Sequence, residues 1–297
     1  MKSAKIKASV GDRAFNTFNA ILMIIICIII VYPLFYVILA SFTDPAVVST
    51  GKPLFWIEKF YAKGYATAFN YKPLWTSYKN TVIYTAVGTG VALFTTIPAG
   101  YAFSRRDLVG RKPLMFLFTF TMFFSGGIIP LYLTIRSLGI YNSIWAMVLP
   151  VAVSAYNLIV CRSFFESGIP IELLEASKID GCSDFGFFFK IAIPLSKTII
   201  AVMCLFYATA LWNQFFNALM FLQDDTKMPL QVVLRNLVLM NQANQMGSSG
   251  AAAIDMQKLA DQLKYCIVVL SAAPLLAVYP FLQKYFAAGV TMGAVKG

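Results

Sequence analysis

Few residues in this chain are equipped for bond-making chemistry. It contains no histidine, so the commonest general base and metal ligand are missing. Of its cysteines, Cys27, Cys161, Cys204 and Cys266 lie in apolar runs and Cys182 in a loop, and none has metal-ligand spacing. What remains is hydrogen-bonding and stacking chemistry inside apolar sequence. The stretch LWNQFFNALMF carries Trp212, Asn213, Gln214 and Asn217, and another apolar run carries Tyr156 and Asn157. Amides both donate and accept hydrogen bonds, and aromatic faces offer stacking surfaces. These six are therefore candidates for a substrate path. The same residue types also serve as hydrogen bonds between helices or as an outer-interface belt, and both readings stay open.

A second group lies between apolar runs, in ESGIPIELLEASKIDGCSDFGFFFKIAIP at 166–194. Pro170 suits the first turn of a helix, and Glu172 and Glu175 then sit near its positive end. Leu173, Leu174 and Ala176 can form an apolar face. Gly181 and Ser183 interrupt, Phe185 and Phe187 to Phe189 follow, and the segment ends at Pro194. The pattern predicts a short helix, a turn and a second helix. Gly181 is expected either to permit the turn or to allow close approach of the two helices.

The elements that hold these groups are membrane spans. Of 297 residues, 59% are hydrophobic and 12% charged, against about 25% charged in a soluble domain. Apolar stretches at 18–42, 81–103, 113–135, 143–165, 195–222 and 264–287 each reach the ~20 residues that a spanning helix needs. The first extends well past the ~7–15 residues of a signal-peptide core and reads as a retained helix. The net charge of +11 is spread between apolar runs, which argues for membrane topology over a nucleic-acid surface. Lys2, Lys5, Lys7 and Arg13, with Arg105, Arg106, Arg111 and Lys112, place residues 1–17 and the short loop after the second span in the cytoplasm. The 166–194 loop and the tail 288–297 then share that side, while 43–80 and 223–263 lie outside. Gly88, Gly90, Pro98, Gly100, Gly126, Gly127, Pro130, Pro150, Pro274 and Pro280 interrupt the spans, as in helices that bend or pack closely.

With these residues in view, the 166–194 segment resembles the Glu-Ala-Ala loop of binding-protein-dependent ABC importer permeases. That pattern is Glu-Ala-Ala, three residues, Gly, nine residues, Ile, any residue, Leu-Pro. Here it is met by Glu175, Ala176, Gly181, Ile191 and Pro194, with Ser177 and Ile193 as departures. The resemblance covers nearly the whole chain. SFTDPAVV, YKNTVIYT with Asn80 and Thr81, AGYAFSRRDLVGRK and the ending QKYFAAGVTMGAVKG are all similar to the maltose-type and lipoprotein-associated polysaccharide-import branches.

The resemblance implies an all-α membrane protein of six transmembrane helices with the type I ABC importer permease fold, its core domain at 81–287. It implies a bacterial plasma-membrane location with both termini cytoplasmic. Implied partners are a homologous second permease, an ATPase dimer and an extracytoplasmic sugar-binding protein of the lipoprotein kind, besides membrane lipid and no nucleic acid. The chain itself would hold no cofactor, ATP and Mg being bound by the ATPases. Glu172, Leu174, Glu175, Ala176, Ser177, Asp180, Gly181, Ile191 and Pro194 would form the ATPase-coupling loop. Asn241, Gln242, Asn244 and Gln245 in the outer loop would dock the binding protein. The alternative is a free-standing secondary transporter or channel for a small polar solute. Such a protein typically carries an intramembrane ionisable site, and no carboxylate lies in any expected span core.

Overall fold

The computed structural model describes residues 9–245, 261–277 and 280. Within them the chain is helical, with no strand and a single isolated bridge between Thr43 and Phe60. It divides into two units, residues 1–70 with 237–270 and residues 71–236 with 271–297.

The first unit is built on α1 (Val10–Phe42). This helix begins at Val10, ahead of the expected 18, because Ser9 and Asp12 form a reciprocal capping box, which satisfies two otherwise orphaned N–H groups. Ile21 to Ile30 are largely exposed within the chain, a surface suited to lipid. After α1 come the short helices α2 (Pro45–Val48) and α3 (Lys63–Asn70). Gln262, 1% exposed, locks this unit together. Its Nε2 donates to the carbonyls of Ser41 and Tyr61, and its Oε1 accepts from Gly64 N at 2.8 Å.

The second unit centres on α4 (Lys72–Ser104), which starts ahead of the expected 81 with Pro73 in its first turn and runs on through Pro98. With it in this unit are α5 (Arg111–Phe123), α6 (Ile128–Ser137), α7 (Ile144–Val148), α8 (Ala155–Gly168), α9 (Ile171–Ile179), α10 (Asp184–Phe187), α11 (Ile193–Leu195), α12 (Lys197–Trp212), α13 (Phe216–Phe221) and the first part of α14 (Leu230–Gln245), whose residues from Leu237 on belong to the first unit. Its largest core packs Ala92, Ile97, Cys161, Phe165, Phe187, Met203 and Tyr207. Gly100 shows why α4 and α8 approach closely: a Cβ there would stand 2.6 Å from Cys161 Sγ.

As the glycines and prolines within the expected spans suggest, not all six are continuous helices. Among the described residues α1 and α4 are each long and apolar enough to cross a membrane in one piece, and three bent pairs bring the number to five if each is one span. The breaks are 117° between α5 and α6, 51° around Pro150, and 78° between the α10–α11 stretch and α12. The α5–α6 break falls at Ser125-Gly126-Gly127, residues with little helix propensity. The expected 195–222 span also stops at Trp212 and resumes at Phe216. Of the sixth span, 261–277 is helical and most of the remainder lies outside the described residues, as does the 288–297 tail.

Candidate functional site

The most distinctive site is the helix–turn–helix that α9 and α10 form. Pro170 is the N-cap of α9. The helix closes with Gly181 at φ +76°, and its last carbonyls are satisfied in a Schellman pattern. Cys182 N donates to Ser177 O at 2.9 Å and Gly181 N to Lys178 O at 3.1 Å. A Cβ on Gly181 would meet nothing within 4 Å. The glycine is therefore required for its left-handed backbone, and the close-approach alternative is not what the fold uses. Ser183 then caps α10 by accepting from Gly186 N at 3.1 Å.

The burial pattern explains the motif's other members. Ser177 is 6% exposed and its hydroxyl donates to Leu174 O at 2.8 Å, so the small residue at this position is buried and satisfied. Leu174 packs on the main core, whereas Leu173 and Ala176 face outward. The expected apolar face is thus Leu174 with Ser177, turned inward. Phe187 and Phe188 are buried against Tyr101, with ring centroids 6.4 and 4.9 Å away, while Phe185 and Phe189 are 79% and 62% exposed. Ile191 packs on the same core. Pro194 cannot donate to a preceding carbonyl; the chain forms a π turn at Phe188–Ala192 and bends just beyond it. Proline and π turns are the usual causes of such bends.

Ion pairs bind this loop to the end of α4. Arg105 reaches Asp107 at 2.9 Å and Asp184 at 3.7 Å, and Lys178 reaches Asp107 at 3.9 Å. Arg111 donates from Nε to Phe103 O at 2.7 Å and pairs with Glu166 at 2.8 Å, and Arg162 joins Glu166 at 3.1 Å. The hydrogen bond from Arg105 holds the Asp107 carboxyl below its ordinary value, and Arg111 does the same for Glu166. Sequence reading treats these arginines as topology markers. The only hint of a structural role is their place in the AGYAFSRRDLVGRK segment. Between the two loops an open cleft of ≈ 520 Å³ is lined by Arg105, Arg106, Glu172, Glu175 and Lys178. Glu172, Glu175 and Asp180 are exposed, and neither glutamate has an ion-pair partner among the described residues.

The candidate path residues divide. Trp212 is buried; its Nε1 donates to Ser271 O at 3.2 Å, and its ring meets Tyr78 edge-on at 5.9 Å. Gln214 is buried, with Nε2 donating to Met147 O at 3.0 Å and Oε1 unpartnered. Asn157 is buried near the Ser154 cap of α8. Tyr156 is exposed, Asn217 half-buried, and Asn213 exposed at the break after α12. The structure brings Asn213 and Gln214 together at that break and leaves Tyr156 on the exposed side of α8.

The expected outer loop 223–263 opens as an ordered cap. Asn80 Nδ2 donates to Thr226 O at 2.8 Å and Met228 O at 3.2 Å, and Thr81 Oγ1 accepts from Leu230 N at 2.8 Å. This accounts for Asn80 and Thr81 in YKNTVIYT. Asn241, Gln242, Asn244 and Gln245 fall on the last turns of α14, and the docking stretch beyond Gln245 lies outside the described residues.

No family model matches the chain. It is 40% identical over 288 residues to the polygalacturonan/rhamnogalacturonan transport system permease protein YtcP of Bacillus subtilis, covering 96% of this chain and 99% of that protein. Protein LplC of the same organism is 38% identical over 287 residues, covering 97% of this chain and 96% of that one. Among solved structures, a bacterial ABC transporter involved in the import of the acidic polysaccharide alginate has a chain that matches with TM-score 0.84 and 32% identity, covering 95% of this chain and 100% of that one.

Proposed function

The chain belongs to the permease family of carbohydrate ABC importers, and from that premise we propose that it forms half of the path for an oligosaccharide delivered by an external binding protein. The other half is a homologous permease. ATP is bound and hydrolysed, with Mg, by a pair of ATPase subunits that dock on the α9–α10 element, and this chain is non-catalytic. Both termini and the 166–194 loop face the cytoplasm.

The observation that carries the reading is the build of that element. One face of it is fixed to α4 and α8 by Phe187, Phe188, Leu174 and the Arg105–Asp184 pair. The other face presents Glu172, Glu175, Phe185 and Phe189, with no ion-pair partner for the glutamates among the described residues. A rigid helix held on one side and bare on the other is suited to receive a subunit and pass its movement to the bend before α12. ATP favours the closed ATPase dimer, so it favours whichever permease state couples to that closure. An oligosaccharide as cargo is supported by the polymers that the similar proteins are named for, polygalacturonan, rhamnogalacturonan and alginate, all three of which contain uronic acids.

The test is affinity purification with uptake. The chain should recover a second permease and an ATPase pair, and purified alone it should hydrolyse no ATP. Deleting Asn241 to Ser249 should leave assembly intact and weaken stimulation by loaded binding protein. Stable sugar uptake by this chain alone in liposomes defeats the reading.

A further inference from the structure

Where α12 stops, the fold assembles a small polar cluster that the path candidates alone do not contain. Asn213 occupies the break, with Nδ2 held by Thr209 O at 2.9 Å and Oδ1 accepting from Gln231 Nε2 at 3.4 Å. Gln231 lies on α14, and Arg235 follows it one turn later on the same face. The Arg235 guanidinium stands over the Phe215 ring, 5.4 Å from its centroid, within cation–π range. Arg235 is exposed and has neither an ion pair nor a hydrogen bond among the described residues. The outer-loop acid Asp224 is engaged elsewhere, accepting from Thr226 at 2.6 Å and facing Lys227 at 3.8 Å. Phe216, next in sequence to Phe215, is 52% exposed.

We propose that Arg235, Gln231 and Asn213 form a carboxylate-recognising subsite at the break after α12, and that the oligosaccharide conducted here carries a uronic-acid carboxylate. This rests on the oligosaccharide reading above and adds its charge class. A guanidinium stacked on an aromatic ring keeps its donor edge free, and that planar edge matches a carboxylate with two parallel hydrogen bonds. Gln231 Oε1 accepts no hydrogen bond from the described residues and can take one from a ring hydroxyl. A neutral sugar would use the amides and leave the cation idle.

The test uses the whole importer with its permease partner, ATPases and binding protein in proteoliposomes. Uptake of a trigalacturonate is compared with uptake of its methyl ester, which is neutral. The wild type should take up the free acid. Arg235→Gln should lower that uptake about tenfold at subsaturating sugar, the scale of one lost charge-assisted contact, while Arg235→Lys retains part of it and ester uptake is unaffected. Recovery of the ATPase with each variant checks assembly. The same variants are assayed for the concentration of loaded binding protein that half-stimulates ATPase, and this should not move. If instead that concentration rises and acid and ester fall together, Arg235 meets a carboxylate of the binding protein and the proposal is overturned. Preference of the wild type for the ester, or full acid uptake by Arg235→Gln, also overturns it while leaving the oligosaccharide reading standing. Uptake of neither sugar, nor of any other oligosaccharide, sinks both.

Discussion

Gly181 offers the sharpest perturbation, because the structure separates two reasons for a glycine. Its φ is +76° and a Cβ would find open space. The cost of a side chain is then the backbone penalty alone, roughly 1–2 kcal/mol for an ordinary L-residue in the left-handed region. Asn visits that region more readily and should cost less. So Gly181→Ala and Gly181→Leu should weaken the Schellman turn by similar amounts, and Gly181→Asn by less. A loss of 1–2 kcal/mol is a factor of about 5–30 in the closed-to-open ratio. The two bonded amides, Gly181 N and Cys182 N, report this directly. In residues that keep an exchangeable amide there, hydrogen exchange should accelerate by that factor in the Ala and Leu variants, with α4 amides unchanged. Sugar uptake should fall in the same order. A harmless Ala beside a severe Leu would mean that an approaching neighbour, and not the backbone, requires the glycine, and the reasoning from φ would be refuted.

Other expectations can be checked alongside. Glu175→Lys reverses a charge on the bare face of α9 and should abolish uptake while leaving insertion intact, since like-charge juxtaposition at an interface costs several kcal/mol; normal uptake with normal ATPase recovery removes Glu175 from the contact. In a cysteine-free background, a membrane-impermeant thiol reagent outside intact cells should modify Thr50→Cys and spare Ser183→Cys, and the reverse pattern inverts the orientation. Asp107 titrates below its ordinary 3.8 because Arg105 holds it. Its depressed value means that its stabilisation is complete above about pH 3.8 and is lost as pH falls through the lower folded value. Asp107→Asn should therefore flatten the acid limb of thermal stability below that pH, and an unchanged limb would show that the pair contributes nothing there.

Much of the site was legible because its signals are local. Six long apolar stretches declare a membrane chain through composition alone. Glu175, Gly181 and Pro194 declare the loop through spacing, since helix start, left-handed stop and bend are each decided within a few residues. The alternating fate of Phe185, Phe187, Phe188 and Phe189 was not legible: four aromatic residues in so short a segment give no sign of which rings meet Tyr101. Gly126 and Gly127 mark where the 113–135 stretch can bend, but give no sign that the chain turns through as much as 117° there. Arg105 and Arg111 look in sequence like topology charges. Only the return of α8 and α10 to the end of α4 brings Glu166 and Asp184 to them. Asn80 likewise has no partner until residues 226–228 come back across it, and Arg235 has no ring until α14 lies over Phe215. The sequence by itself determines the solvent of each segment and the local turns, because hydropathy and backbone preference act over neighbouring residues. Which charges pair and which rings are covered depend on contacts between residues far apart in the chain, and those exist only once the helices have packed.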